Sequence, residues 1–366
     1  MLEMFQIKIL IERFVILKNK WLWSSVHMIK NIPIIYPNEL FYSFICRTYV
    51  RSGVGSSKEF TKLIFAKGTD QPKTSFINKL RNDFKFKLNK QLTDVDILSE
   101  HTVFNFYSRF LTRDEKEEAV SEIINGKSSF NYLHTPVIKE NTHLRYCSKC
   151  VHEDRNRYGE AYFHIEHQLE KVKVCVHHHC KLLETKIFYG CKNQLILTPL
   201  EVCELEEKIE DVAIDSIEYK FSKYIYDFIS CKFSFNSNIG FEKLLTDKLD
   251  DKYFLSGRRK RKNLDLIYDD LKVFYEGYEF FNISRRRLAA ILRGIEYNTF
   301  DILLVAFFEG IRVDELCNLV NINNDKSEKF DQKVIKLYEE GNSYLKISQM
   351  MNVDKETIRQ IILKNK

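Results

Sequence analysis

The chain has 366 residues, 44% of them hydrophobic, enough for two or three domains with buried cores and too apolar for a disordered chain. Only 12 glycines and 5 prolines occur, which argues against Gly-rich phosphate loops and turn-dense β-sandwiches and favours a mainly helical protein. A net charge of +6 at neutral pH excludes a wholly cationic tail but leaves room for local basic faces.

Residues 1–27 contain apolar stretches broken by Lys8, Glu12 and Arg13, with no small-residue cleavage site after them. They read as a non-essential leader or a peripheral helix, not as a secretory signal. From Asn38 to Arg51 the chain lacks internal Gly and Pro and sets Leu40, Phe44 and Tyr49 near one stripe, which predicts a helix ended by Gly53. Ser56 and Ser57 are placed to cap a second helix through Phe65, and further helices fill 76–126, where Ile124-Asn125-Gly126-Lys127 is a stop signal. Residues 28–140 therefore read as a helical N-terminal domain in which Cys46 is an inert buried thiol.

Composition changes near residue 140. Seven of the ten histidines (143, 152, 164, 167, 177, 178 and 179) and six of the nine cysteines fall between 143 and 203. Without export features, that concentration points to a metal in a reducing cytoplasm and away from disulfides. Cys147-Ser-Lys-Cys150 and Cys175-Val-His-His178 form C-x2-C and C-x2-H pairs separated by 24 residues. Two such knuckles fill four tetrahedral corners with Cys147, Cys150, Cys175 and His178, which suits Zn2+ and leaves no open catalytic position. His177 and His179 flank His178 and leave the choice of imidazole open. Lys171 to Val176 alternates and predicts a strand carrying Cys175 to the metal, so 141–204 is a small zinc-stapled β unit. The spacing of Cys180, Cys191 and Cys203 is too irregular to define a second site.

Helical patterns resume over 205–325. The basic run includes Arg258, Arg259, Lys260 and Arg261, and a second cluster holds Arg285, Arg286 and Arg287. Both could contact phosphates, although a solvated loop or wet helix face would have the same sequence. The longest apolar run, Ile302 to Phe308, is far too short to cross a bilayer and reads as a buried helix. Residues 326–366 predict three helices: Asp331 to Glu340 stopped by Gly341, a second capped by Ser343 and running to Met351, and a third from Lys355 to Lys364 after the turn Asn352-Val-Asp354. Ile347, Ser348, Met351, Ile358 and Ile361 face inward in a helix-turn-helix. Lys355, Glu356, Arg359 and Gln360 then face outward, where a recognition helix meets base edges. A plain three-helix protein-binding bundle demands the same core.

Arg145-Tyr-Cys-Ser-Lys-Cys-Val-His-Glu-Asp154, Tyr158-Gly-Glu-Ala-Tyr-Phe-His164, His167-Gln-Leu169 and Cys175-Val-His-His178 with Leu182-Leu183 resemble the zinc signature of the TnsD/TniQ family of transposon target-site selection proteins. Ile35-Tyr-Pro-Asn-Glu-Leu-Phe-Tyr-Ser43 with Arg47 and Ser52-Gly53 is similar to that family's opening motif, and Arg287 to Leu316 resembles later parts of its members more weakly. Where the family usually has Pro after the first and third cysteines, Trp at 163 and Gly at 179, this chain has Ser148, Val176, Phe163 and His179. The resemblance makes 28–140 the helical part of a TniQ-like domain. It implies a non-enzymatic DNA-binding selector of a Tn7-like transposon that recognises the attachment site and recruits the transposon's AAA+ ATPase, with double-stranded DNA and that ATPase as partners. A relative that docks on an RNA-guided CRISPR effector complex is the alternative. His164-Ile-Glu166 also matches the H-x-E of zinc deaminases, but the C-x2-C lies upstream instead of downstream. A metal-dependent nuclease and a free-standing transcription regulator complete the alternatives.

Overall fold

The computed structural model describes residues 29, 31–66, 79–88, 92–111, 113–126, 143–169, 171–188, 197–231, 241–256, 261–279, 281–295, 298–316, 331–351 and 355–364. The expected leader over 1–27, Arg258, Arg259, Lys260, Cys191 and the turn Asn352–Asp354 lie outside them. Mainly helical, with three two-stranded sheets, the described chain forms two compact units. The first comprises Met1–Asn105, Val120–Ser129 and Pro136–Ser222; the second comprises Phe106–Ala119, Phe130–Thr135 and Lys223–Lys366.

In the first unit the helix Phe41–Ser52 stops at Gly53, whose φ of 69° is the left-handed conformation that glycine adopts without strain. Ser56 then accepts the amide of Glu59 and starts the helix Ser57–Ile64. Asn82–Leu88 and Asp94–Glu100, with Arg113–Ile124 whose residues up to Ala119 belong to the second unit, supply the helices expected over 76–126. Cys46 is fully buried, and burial pushes its thiol well above the usual range.

Within 141–204, β1 (His143–Tyr146) pairs antiparallel with β4 (Leu183–Phe188), placing Arg145 opposite Glu184 and Tyr146 opposite Leu183. The helix Ser148–Tyr158 leaves β1 directly and ends on Gly159. A hairpin of β2 (Val174–Cys175) and β3 (Cys180–Lys181) completes the segment. The strand expected over Lys171–Val176 is thus only two residues long. Val172 donates back to the Leu169 carbonyl in a turn, and Lys171, a polar position of that alternation, is buried.

The N-terminal motif is built onto this segment. Leu40 N donates to Phe163 O at 2.8 Å, Ile165 N to Asn38 O at 3.0 Å, and the Tyr162 hydroxyl to Pro37 O at 3.0 Å. Beside these bonds, Arg47 on the first helix is 2% exposed and meets the fully buried Glu39 at 2.6 Å and Glu160 at 2.7 Å. Tyr36 stacks on its guanidinium at 3.8 Å and donates its hydroxyl to Glu160 at 2.9 Å.

The second unit has the helices Phe241–Lys248, Leu264–Phe274, Arg285–Ile291 and Thr299–Phe308, with a hairpin of β5 (Phe254–Leu255) and β6 (Arg261–Lys262). The apolar run behaves as expected: Ile302 to Ala306 are fully buried, and the Tyr275 hydroxyl donates to Leu304 O at 2.7 Å. Arg109 donates to the carbonyls of Ile229 and Cys231, groups that the end of the helix Ile217–Ser230 leaves without helical partners. At the C-terminus, residues 331–339, Tyr344–Met351 and Lys355–Lys364 are helical. Their core is Val334, Ile347, Ile358 and Ile362; Met351 and Ile361 are only partly buried. Ile362, which the apolar pattern had not singled out, takes the deeper place expected of Ile361.

Arg47→Ala would strand Glu39 in the core without its cation and should cost about 3–5 kcal/mol in urea unfolding. Glu39→Gln combined with Arg47→Met should recover part of that loss, because no buried charge is then left unpaired.

Candidate metal centre

The start of the helix Ser148–Tyr158 and the turn of the β2–β3 hairpin bring Cys147, Cys150, Cys175 and His178 together, with one ligand atom from each lying within 4.8 Å of the others. Cys147 follows β1 and caps the helix, so Cys150 follows it one turn later on the same side. Cys150 Sγ lies 3.6 Å from Cys175 Sγ, and His178 Nδ1 lies 3.5, 3.2 and 3.6 Å from the sulfurs of Cys147, Cys150 and Cys175. A tetrahedral zinc with sulfurs at about 2.3 Å has ligand–ligand edges of about 3.8 Å, so these spacings fit the ion. All three cysteines are buried. Among themselves they can hold few charges: hydrogen bonds from Cys150 and Cys175 hold Cys147 well below the usual thiol range, and the bond to Cys147 pushes Cys150 well above it. A dication removes that conflict and lets all three ionise.

Three surrounding features were not singled out by spacing. Glu153, one turn beyond Cys150, accepts from His178 Nε2 at 2.9 Å, which fixes the tautomer that presents Nδ1 to a metal. Its position three residues after Cys150 on a helix is the only sequence signal for that role. Cys180, opposite Cys175 in the hairpin, lies 3.4 Å from Cys147 Sγ. It is a neighbour of the first site; Cys203 instead donates to Pro199 O at 3.5 Å. His179 turns away with a left-handed φ of 51° and sets its ring 4.8 Å from that of Tyr219. Glycine adopts that backbone without strain, and among 177–179 only His178 joins the cluster.

His164 and Glu166 form an ion pair beside the cluster instead of an H-x-E catalytic motif. His164 Nε2 lies 2.8 Å from Asp154, and Nδ1 lies 3.5 Å from Glu166. Burial pulls the His164 pKa down, but the bonds to Asp154 and Glu166 outweigh it and raise the imidazole to about 10. Burial also opposes ionisation of Glu166, and His164 overcomes it and lowers the carboxyl to about 2. Burial, then the His164 charge, holds the adjacent His167 neutral, lowered to about 3. Gln168 locks the strand beside them, accepting from Arg145 N at 3.0 Å and donating to Arg145 O at 2.8 Å.

The basic residues are scattered among other elements. Arg261 is exposed on β6. Arg285 and Arg286 are exposed at the start of the helix Arg285–Ile291, where Arg285 pairs with Asp265; Arg287 is half-buried against Asp301 at 2.8 Å. Arg359 is exposed on the last helix, whereas the side chains of Lys355, Glu356 and Gln360 lie outside the described residues.

The family model described as TniQ matches residues 32–182, the interval that contains the N-terminal motif, the Arg47 network and the Cys/His cluster. The chain is also similar to the transposon Tn7 transposition protein TnsD of Escherichia coli, at 26% identity over 160 residues, which cover 41% of this chain and 30% of that protein. It therefore spans less than a third of the length of that curated relative.

Metal analysis of the purified chain should find one zinc, and Cys150→Ser should lose it and destabilise the module. Glu153→Gln should keep the four ligands but weaken zinc binding about 10–100-fold in a chelator competition. The imidazolium of His164 contributes stability fully present below its unfolded value near 6.5 and lost as pH rises through about 10. The thermal advantage of the natural chain over His164→Gln should therefore shrink between those limits; a pH-independent difference would contradict the charged pair.

Proposed function

We propose that the chain, whose residues 32–182 match the TniQ family model and which is similar to TnsD, is a non-catalytic target-site selector of a Tn7-like transposon. In this reading it binds double-stranded attachment-site DNA through its C-terminal helices and basic segments and recruits the transposon's AAA+ ATPase. The observation that carries the reading is the joining of the two halves of the family motif around one closed Cys/His cluster, through Glu39, Arg47 and Glu160. Four protein ligands complete a tetrahedral shell and leave no position for substrate or an activated water, which supports a structural zinc and no metal chemistry. Zn2+ held there would tie the helix Ser148–Tyr158 to the β2–β3 turn; the chain's own residues do the recognition.

For DNA, support comes from the helix pair Tyr344–Met351 and Lys355–Lys364, packed through Ile347, Ile358 and Ile362 with Arg359 outward. A guanidinium so placed can make two hydrogen bonds to a guanine edge. Docking on an RNA-guided effector complex remains the second reading. It is favoured by one observation, the exposure of Leu345, Met350 and Leu363 on these same helices, at 55, 56 and 51%. A protein partner would cover such side chains.

Sequencing the duplexes retained by the full chain tests the first reading, with a single preferred site expected. Arg359→Ala should then cost about 1–3 kcal/mol on that site and much less on random DNA, whereas Arg286→Ala should weaken both alike and lower the salt slope by about one. Equal losses on both duplexes for Arg359→Ala would remove the last helix from base reading.

A further inference from the structure

Beside the metal centre and against the helix Ser148–Tyr158 lies a cleft of about 690 Å³ bounded by the segment 203–209. Its volume is that of a site for a few side chains. Tyr146, Val151, Leu205 and Ile209 supply apolar surface, and Ile209 is 49% exposed. Glu206 and Glu207 stand exposed on the same wall. The cations of the lining are already engaged: Lys149 pairs with Asp211 at 3.1 Å and Arg155 with both oxygens of Glu201 at 2.8 and 2.9 Å. Glu206 and Glu207 have no ion pair among the described residues, so the cleft carries an excess of negative charge over an apolar base.

The backbone supplies a second, independent feature. Glu206 is tied down by its amide, which donates to the Tyr146 hydroxyl at 2.7 Å, and by its carbonyl, which accepts from Ser148 at 3.1 Å. Further on, Lys181 donates to Glu210 O and Val212 to His179 O, so the chain joins the edge of the β2–β3 hairpin. Between these anchors, Glu207, Lys208 and Ile209 belong to no helix or strand and make no backbone–backbone hydrogen bond among the described residues. A strap fixed at both ends with open amides and carbonyls is a template for an added strand.

We infer that this cleft receives an extended segment of a protein partner, added alongside residues 207–209, with an apolar side chain in the Val151–Leu205–Ile209 base and lysine or arginine facing Glu206 and Glu207. The inference rests on the adaptor reading and gives it a partner-docking site chemically unlike a DNA surface: the open carboxylates repel phosphates and attract cationic peptide.

The test is selection of a displayed library of random 12-residue peptides on the full, zinc-loaded chain. Enriched peptides should combine Lys or Arg with Leu, Ile, Val or Phe. A synthetic copy of the best one should bind at least about tenfold more weakly to Glu206→Lys/Glu207→Lys, and also when alternate backbone nitrogens are methylated. Glu207→Lys alone, a change of one exposed side chain, should give a smaller loss in the same direction, with zinc content unchanged in both variants. No enrichment, acidic enriched sequences, indifference to charge reversal, or displacement of the peptide by random duplex DNA would each overturn the site. Retention of the preferred duplex, measured on the same variants, should not change. If peptide binding fails while that retention persists, the docking site is wrong and the selector reading stands; if no duplex is ever preferred, it is the selector reading that has failed.

Discussion

Three thiols and an imidazole gathered within 4.8 Å cannot reach their ligand charge states without a cation, and the first unit is arranged around that constraint. The pieces it holds are too small to stand alone: β2 and β3 are two residues each, and the helix Ser148–Tyr158 buries Cys150, Val151 and Asp154 as its inward side. A two-stranded hairpin of that size is marginal in water. A metal ion held at both the hairpin turn and the helix start would tie these small pieces together. Arg145 reinforces the same region from within, buried and donating to the carbonyls of Leu169 and Val172.

A second charged network lies between the N-terminal motif and the metal segment. Glu39 on the opening motif and Glu160 after the helix both lie on Arg47, and Arg51 adds a bond to Glu160 at 2.6 Å. Burying such charges costs several kcal/mol of hydration, which only good geometry offsets. What the arrangement supplies is a defined pairing between segments more than 100 residues apart: with any other register, Glu160 would lose Arg47 and Tyr36. The bonds Leu40 N to Phe163 O and Ile165 N to Asn38 O repeat that register in the backbone.

The legibility of the chain follows the range of the interactions. Helix stops at Gly53 and Gly126, the Ser56 cap and each pair of the Cys/His cluster are local signals, written within a few residues, and are readable from spacing. The strand around Cys175 was overextended because its alternation is real but its partner ends: Val172 turns back on Leu169, and tertiary burial takes Lys171 inward. Ile361 and Ile362 differ by one position on a helix, about 100° of rotation, and only packing against Val334 and Ile347 decides which goes deeper. Glu153, Cys180 and the His164 ion pairs needed the fold itself, since their partners are 25, 33 and 10 residues away. His179 is instructive in the other direction. The departure from glycine was visible in the sequence, but its consequence, a ring turned onto Tyr219 from a left-handed backbone, appears only in three dimensions.

Charge separates the surfaces that an adaptor would use. Of the acids in residues 204–211, Glu204, Glu210 and Asp211 pair with Lys186, Lys181 and Lys149, and Glu206 and Glu207 leave the surface its negative excess. A surface of that sign releases no counterions on meeting a duplex, and repels it at a range of about 10 Å in ordinary salt. Any affinity for DNA must then come from elsewhere in the chain, and the exposed Arg261, Arg286 and Arg359 are cations of the required kind. Arg287 is a poorer one: its guanidinium lies on the buried carboxylate of Asp301, and taking it to a phosphate would leave that carboxylate in the core without its partner. The C-terminal core alone cannot decide what its helices touch, since Val334, Ile347, Ile358 and Ile362 would pack the same way in a DNA reader and in a protein-binding bundle. The outward residues decide it, and they are of two kinds: Arg359 offers a base edge two hydrogen bonds, while Leu345, Met350 and Leu363 offer a partner apolar surface. Salt separates the two modes, because binding to a duplex releases counterions and weakens steeply with ionic strength, whereas burial of apolar area on a protein partner is left nearly unchanged.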